Sequence, residues 1–218
     1  MSNIYGFAQQ QNVSRSADGG AVGLRATRDG SLISVPWVMA LVLEGRVFSA
    51  DGGKADGLLT IMTTYADTSK TIFVDVPDGT AMIPLMADFT FGATGAAIDY
   101  AKLFVSPTLN GVAGTETVIT PINWRLDSPV ATAATAAHTA SSETDNVTGV
   151  EVTMLNFYCN QDLDATAIGP NFHWSIGQDG FAPVGVDGAS FNLALLCTTS
   201  GTGCGSLAWA ELPESAIT

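Results

Sequence analysis

Few residues in this chain have the types and spacing that chemistry at a site requires. The 218 residues include only two histidines, His138 and His173, which lie far apart in the sequence. A zinc site needs about three or four ligands, and no spaced His or Cys pairs supply them. We therefore expect both histidines to be structural residues, packed in sheets rather than bound to a metal.

The three cysteines, Cys159, Cys197 and Cys204, lack the C-x-x-C spacing of metal and redox motifs. Cys159 ends a largely apolar run and is expected to be a buried thiol. Cys197 and Cys204 flank a polar Gly/Ser/Thr turn between two strand-like runs, where a hairpin would place them opposite each other. A disulfide between these two is the candidate bond, and its demanding geometry favours the alternative of two reduced thiols.

Carboxylates come closest to a binding site in the oxygen-rich stretch Asn160–Asp164, which follows a strand-like run. Asp162 and Asp164 offer the hard oxygen ligands that calcium prefers, although the stretch lacks the terminal Glu of an EF-hand loop. A second stretch, Asp51–Asp56, also lacks the remaining ligands of such a loop. For both stretches the alternative to a cation site is a solvated turn. The sequence predicts no cofactor, with calcium shared between subunits at Asp162 and Asp164 as the one candidate.

The sequence contains none of three common enzyme signatures. It has no G-x-S-x-G motif, and Gly205-Ser206 opens a strand-like run without a nucleophile elbow. No glycine-rich loop leads into a predicted helix, so the phosphate-loop and dinucleotide-binding motifs are absent as well. These observations predict a protein that is not an enzyme.

Many short strands joined by tight turns must position these residues. Seven of the fifteen aspartates precede glycine, and Asp-Gly favours turns because glycine adopts positive φ without a steric clash. About ten alternating or apolar runs lie between the turns, and Pro84 inside one of them indicates an edge strand or a bulge. The predicted strand-like runs are Leu24–Thr27, Leu32–Val38, Met39–Ala50, Leu58–Thr64, Thr71–Val76, Ala81–Phe91, Ile98–Val105, Val118–Leu126, Val150–Cys159, Phe172–Ile176, Ala189–Cys197 and Ser206–Leu212.

This pattern predicts an all-β fold, a sandwich, jelly roll or barrel of about ten strands in one domain over residues 21–218. Residues 1–20 are poor in apolar side chains and are predicted to form an extended arm. Tyr5 and Phe7 are its aromatic exceptions and the candidate contacts with a neighbouring subunit. The Ala/Thr-rich stretch 128–148 is expected to be a flexible or short helical excursion.

Composition narrows the classes of partner. Charged residues make up 13% of the chain, against about 25% in a typical soluble domain, which suits burial against copies or partners but also a cold-water or secreted monomer. The net charge of −13 argues against a nucleic-acid surface. The longest apolar run, Val35–Leu43, is too short to span a bilayer.

The four tryptophans bear on carbohydrate binding. A glycan-binding module would present a coplanar row of exposed aromatic rings. Each tryptophan here lies within an apolar run, which favours core positions instead. The residues in question are Trp37, Trp124, Trp174 and Trp209.

Three stretches resemble the jelly-roll capsid proteins of small tailless icosahedral DNA phages, as known from uncultured aquatic viruses. They are Leu24–Leu32 (LRATRDGSL), Glu44–Ala50 (EGRVFSA) and Val74–Leu85 (VDVPDGTAMIPL). The resemblance implies an eight-stranded jelly roll whose copies tile a shell, without catalytic residues. It also implies a location in the virion after assembly in the host cytoplasm, with copies and other virion proteins as partners.

One departure from that family concerns the genome. Many capsid proteins have a basic N-terminal arm, whereas Arg15 is the only basic residue among residues 1–20. We therefore expect no direct binding of nucleic acid, and an internal membrane or another protein would occupy that interface. The alternative from a different class is a secreted or surface β-sandwich that binds glycans, and a third is a jelly-roll lyase or hydrolase, which would need a metal trio.

Overall fold

The computed structural model describes residues 36–53, 57–61, 63, 70–92, 97–111, 116–139, 151–161, 171–198 and 201–217. The chain divides into two units, residues 1–44 and 45–218. Tyr5 and Phe7 and the strand predicted at Leu24–Thr27 lie outside the described residues. Among the described residues, no helix is long enough and apolar enough to cross a membrane.

A helix in the first unit corrects the sequence prediction. Helix α1 (Trp37–Leu43) follows Pro36, and the backbone N–H of Glu44 donates to the carbonyl of Ala40 at its end. Strand-like runs were predicted at Leu32–Val38 and Met39–Ala50. The run is continuously apolar, so periodicity could not separate helix from strand. Proline at the start and the Met, Ala and Leu that follow favour the helix.

The second unit is a β-sandwich of two antiparallel sheets, in agreement with the predicted all-β class. One sheet has the order β10-β4-β12-β1-β7, with β2 also paired to β12, and the other has the order β6-β8-β3-β11-β5-β9. The strands are β1 (Val47–Gly52), β2 (Leu59–Ile61), β3 (Ile72–Val76), β4 (Thr80–Phe91), β5 (Ala97–Ser106), β6 (Thr117–Ile119), β7 (Ile122–Asn123), β8 (Thr135–His138), β9 (Val152–Gln161), β10 (Asn171–Ser175), β11 (Ala189–Cys197) and β12 (Gly201–Pro213). A short helix α2 (Ile176–Asp179) and a 3-10 turn (Glu214–Ala216) complete the described elements.

Eight of these strands pair in a nested order. Strand β1 pairs with β12 and β4 with β10 in the first sheet, while β3 pairs with β11 and β5 with β9 in the second. The outermost pair in sequence is therefore β1 with β12, and the innermost is β5 with β9. Ladders between β4 and β12 and between β5 and β11 join the pairs within each sheet.

Apolar side chains from both sheets form one core. Ile72, Val74 and Val76 of β3 belong to it, together with Phe89 of β4 and Trp209 of β12. Because side chains alternate along a strand, the intervening Phe73 and Asp75 point to the opposite face of the second sheet. Those two residues are buried as well, so both faces of β3 are covered.

The predicted irregularity at Pro84 is confirmed. Trp209 of β12 is opposite Pro84, but the preceding Ala208 is opposite Met86, so Leu85 is the extra residue of a bulge. Strand β10 pairs only with residues 86–90 of β4. The missing N–H of proline therefore interrupts no ladder with β10.

Asp78-Gly79 and Asp187-Gly188 lie in turns as predicted, whereas Asp179-Gly180 ends helix α2. Gly79, Gly180 and Gly188 have φ of 79°, 103° and 78°. Gly52 is a correction, because it lies inside β1, where a Cβ atom would come within 2.6 Å of the Cδ1 atom of Ile72. Glycine is required there by close packing and not by a turn. The remaining Asp-Gly pairs, at Asp18, Asp29 and Asp56, begin outside the described residues.

Strand β8 lies inside the stretch 128–148 for which a flexible or short helical excursion was predicted. Val74 of β3 and Ile119 of β6 are both opposite Ala136. The alanine side chain is small enough to fit fully buried between these neighbours, which explains why an Ala/Thr-rich run forms a central strand. Residues 140–148 lie outside the described part.

Candidate functional site: a buried polar layer and an exposed apolar edge

The acidic residues predicted to share a cation, Asp162 and Asp164, lie outside the described residues. The calcium site therefore stays a prediction, as does the interface role of Tyr5 and Phe7. Within the part of the chain that the structure describes, no group of three or more His, Cys, Asp or Glu side chains is placed to hold a metal ion.

The two cysteines of the candidate disulfide lie on strands of different sheets. Cys197 ends β11 and is opposite Asp99 of β5, whereas Cys204 on β12 is opposite Thr90 of β4. Strands β11 and β12 lie in different sheets and do not pair as a two-stranded hairpin, so the predicted hairpin arrangement is wrong. The structure has no bond between the two sulfur atoms, and an oxidised pair stays a prediction.

Both histidines lie on described strands. His173 of β10 is directly opposite Asp88 of β4, and its Nδ1 atom lies 2.5 Å from the Oδ1 atom of Asp88. His138 of β8 is partly buried, and its buried Nδ1 atom has no hydrogen-bond partner among the described residues. Burial lowers the pKa of His138, and a backbone hydrogen bond at Thr139 partly opposes that shift.

The tryptophans divide between core and surface. Trp174 and Trp209 are buried, as the sequence predicted. Trp37 and Trp124 are exposed, so the prediction of core positions is wrong for these two. An apolar sequence context does not distinguish core from surface positions. For Trp124 the exposure follows from the preceding strand β7, an edge strand with one neighbour that leaves the adjoining segment open to solvent.

A polar layer lies on the face of the second sheet that points away from the core. Its centre is Asp75 of β3, whose side chain is almost fully buried. The Oδ1 atom accepts hydrogen bonds from the backbone N–H of Asn110 at 3.1 Å and from its Nδ2 atom at 3.2 Å, and Oδ2 accepts from the N–H of Gly111 at 2.7 Å. These bonds fasten the loop that follows β5 to the sheet.

Burial raises the pKa of the Asp75 carboxyl. The hydrogen bonds from Asn110 and Gly111 and the positive charge of Lys70 act in the opposite direction. The loss of hydration on burial thus outweighs the stabilisation of the charge by hydrogen bonds and by Lys70. The negative charge of such a carboxylate opposes folding. Asp75 therefore anchors the loop at an electrostatic cost.

The layer continues along β11. The Nδ2 atom of Asn110 also donates to the Oδ1 atom of Asn192 at 2.7 Å, and the Nδ2 atom of Asn192 donates to the Oγ atom of Ser190 at 2.9 Å. Ser190 in turn donates to the carbonyl of Thr108 at 2.9 Å. These side chains are bound to one another and to the loop, an arrangement that fixes loop position.

Two cation–carboxylate pairs flank this layer. Lys70 lies 3.7 Å from a carboxylate oxygen of Glu116, and both side chains are buried. Lys102 contacts Glu151 in a second pair. Each ammonium group also lies over an aromatic ring, Lys70 over Phe73 and Lys102 over Phe104. Removal of one partner from such a pair would leave an uncompensated buried charge, which is strongly destabilising.

A cavity of about 430 Å³ opens beside Asp75. Its described lining is mostly apolar, with one carboxylate and one hydroxyl group. The lining residues are Asp75, Pro77, Leu109, Gly111, Ala133 and Thr135. The carboxylate already accepts three internal hydrogen bonds, so a ligand would have to share it.

Three carboxylates meet at the turns next to β3 and β12. The pKa of Glu214 is raised by desolvation, by a hydrogen bond with the side chain of Asp187, and by the negative charges of Asp187 and Asp78. Asp187 also adopts a φ of 53°, which is unusual for a residue other than glycine.

An exposed apolar edge is the feature that the sequence did not predict. One short segment, which contains β6 and β7, exposes five large apolar side chains. They belong to Val118, Ile122, Trp124, Leu126 and Val130. We call these five residues the edge surface. The sequence indicated a single strand at Val118–Leu126, but Pro121 divides it into two short edge strands, one in each sheet.

Hydrogen bonds hold the edge surface in place. The Nδ2 atom of Asn123 donates to the carbonyl of Gly45 at 2.8 Å and to that of Val130 at 3.1 Å, and the N–H of Trp124 donates to the carbonyl of Val47 at 2.9 Å. Arg125 pairs with Asp127 at 2.9 Å, which lowers the pKa of Asp127. The apolar side chains are therefore presented by an organised backbone.

Comparison of the chain with protein-family models, with curated proteins and with solved structures finds no match.

Proposed function

We propose that this chain is a jelly-roll capsid protein, a structural component of a virion whose copies assemble into an icosahedral shell. The nested strand pairing is the observation that carries the proposal. A jelly roll consists of eight strands in two sheets of Greek-key connections. The pairs β1–β12, β3–β11, β4–β10 and β5–β9, divided alternately between two sheets, agree with that topology.

The step from fold to function needs more than topology, because jelly rolls also occur in lectins and in cupins. Two features favour assembly. Most polar groups of the layer around Asp75 are bound to one another, although the buried Oδ1 atom of Asn110 has no partner among the described residues. The layer therefore serves structure, whereas the edge surface leaves organised apolar side chains uncovered. Uncovered apolar patches in a folded protein are typical of contacts with other proteins.

The charge of the chain suggests the kind of partners. A net charge of −13 disfavours contact with a polyphosphate. The proposed partners are therefore other copies of the chain and other virion proteins, in the virion, with no direct contact with the genome. Calcium at Asp162 and Asp164, between subunits, belongs to the same proposal.

Sedimentation velocity of the purified full chain tests this proposal. We expect a boundary from large particles or stable capsomers whose fraction grows with protein concentration. Addition of DNA or RNA at physiological salt should leave the boundary unchanged. A chain that sediments as a monomer throughout, under conditions of varied salt and calcium, would contradict the proposal.

Glycan binding remains the second candidate, and the cavity beside Asp75 is the observation that favours it. Carboxylates bind sugar hydroxyls, and Thr135 in the lining adds a hydroxyl group. A glycan array followed by calorimetry, with and without calcium, distinguishes this function from assembly. Saturable binding that Asp75→Asn abolishes in a monomeric chain would support the glycan-binding module over the capsid protein.

A further inference from the structure

The edge surface lies where both sheets of the sandwich end. Strand β6 is the last strand of the second sheet, and β7 is the last strand of the first. Leu126, with 89% of its area exposed, is the most uncovered apolar residue of the segment. The five apolar side chains thus extend from the edge of one sheet to the edge of the other.

From this placement we propose that the edge surface binds a second copy of this chain. The inference deepens the proposed function, on which it rests, because it names the surface through which copies meet. Side-chain contact fits the geometry better than extension of a sheet. The edge strands have only three and two residues, and Pro121 lies between them, features that blunt strand-to-strand pairing.

The distribution of charge favours a second copy as the occupant. The chain carries a net charge of −13, so most approaches between copies bring like charges together. Residues 117–134 contain a single acidic residue and a single basic residue, Asp127 and Arg125. These two pair with each other. The edge surface therefore lies on a locally neutral, apolar segment of an acidic protein, where repulsion between copies is weaker than at the acidic parts of the surface.

Organisation of the segment adds to its suitability. The hydrogen bonds of Asn123 and Trp124 fix the backbone before any partner arrives. Less conformational entropy is then lost on association than for a flexible segment. Trp124 and Leu126 are exposed aromatic and aliphatic side chains of the kind that serve as anchors in stable interfaces.

The test uses the full chain with Leu126→Asp, a change at an exposed position that leaves the core intact. Sedimentation velocity over a concentration series measures association, and circular dichroism verifies the fold. We expect association to weaken by about tenfold or more, the effect of losing one anchor residue. The matched control is Phe181→Asp, because Phe181 is fully exposed outside the edge surface. Leu126→Met should retain association.

The outcomes separate the two proposals. If Leu126→Asp associates as strongly as the unmodified chain, the inference about the edge surface is overturned. If the unmodified chain also forms closed shells in that case, the proposed function still stands. Small oligomers that Leu126→Asp dissociates, without any shell, support the edge surface and contradict the capsid. Equal weakening by Phe181→Asp and Leu126→Asp would mean that added charge is responsible, which overturns the inference. An unmodified chain that never associates overturns both.

Discussion

At the scale of single residues, Asp75 links the chemistry of one side chain to the position of a loop. Its carboxylate accepts the backbone N–H groups of Asn110 and Gly111. An alanine would leave both donors without this acceptor, and an unsatisfied buried donor costs about 1–3 kcal/mol. We expect Asp75→Ala to lower the free energy of unfolding by about 2 kcal/mol, measured by urea denaturation. Asp75→Asn, which keeps one oxygen acceptor, should lose less, and equal stability of all three proteins would contradict this role.

The raised pKa of Asp75 gives a signed dependence on pH. Above the raised value the buried carboxylate is charged and opposes folding. As the pH falls through that value toward the ordinary 3.8, the folded state binds the proton more tightly than the unfolded state. The unfavourable contribution of Asp75 is therefore lost in acid. The difference in stability between Asp75→Asn and the unmodified chain should change over this pH window, and a constant difference would argue against it.

His138 predicts a dependence of opposite sign. Its pKa is lowered from 6.5 by burial, so the unfolded state takes up the proton first as the pH falls. Stability should then decrease from pH 6.5 down through the lowered pKa. His138→Gln should remove this loss, as measured by denaturation midpoints at several pH values. His173→Gln, at an exposed surface pair, is the matched control, and equal effects of both substitutions would refute the assignment.

At the scale of the elements, close packing between sheets fixes the position of β1. A Cβ atom at Gly52 would lie 2.6 Å from the Cδ1 atom and 2.8 Å from the Cγ1 atom of Ile72. Overpacking of a core by a methyl group costs about 1–3 kcal/mol. We expect Gly52→Ala to lower the free energy of unfolding by about this amount. Gly57→Ala, where no atom lies within 4 Å, should have no effect, and the same loss at both glycines would contradict the packing argument.

Local pattern was sufficient for some elements and insufficient for others. Strand β11 (Ala189–Cys197) agrees with its predicted bounds, because Asp187-Gly188 before it and the polar Gly/Ser/Thr residues after it delimit the run. Helix α1 was predicted as strand because its apolar run has no diagnostic period. The contacts of Asp75 with Asn110, and of Asn110 with Asn192, join residues 35 and 82 positions apart. Contacts between residues so far apart in the sequence can be predicted only when the strand order is known.

The edge surface could not be predicted for a related reason. Val118, Ile122 and Trp124 have the residue types of a core strand, and only the order of the sheets reveals that no described strand follows β6 and β7. Composition gave an indirect signal, since the weakly charged chain was expected to bury surface against copies. That expectation named no surface, and the edge surface is the one that we propose.

At the scale of the whole molecule, net charge governs how copies approach. A charge of −13 on each copy causes repulsion that salt screens, with a Debye length of about 10 Å at 0.1 M. We expect association to strengthen as sodium chloride is raised from low concentration, measured by light scattering. Association that weakens steeply with salt would indicate that ion pairs, rather than the neutral edge surface, hold the copies together.

Calcium separates specific binding from screening. If Asp162 and Asp164 share an ion between subunits, calcium should strengthen association beyond sodium chloride of equal ionic strength, and chelator should reverse the gain. The double substitution Asp162→Asn with Asp164→Asn should abolish the difference while leaving the response to sodium chloride unchanged. Identical association in calcium and in sodium chloride would contradict a calcium site at these two residues.

Cryo-electron microscopy of the purified full chain, under conditions where it associates, tests the capsid proposal most directly. We expect closed particles with icosahedral symmetry, built from sandwiches in which the edge surface with Trp124 and Leu126 is covered by a neighbouring copy. A chain that remains monomeric, or that forms only open aggregates without symmetry, would contradict the proposal that its copies build a shell.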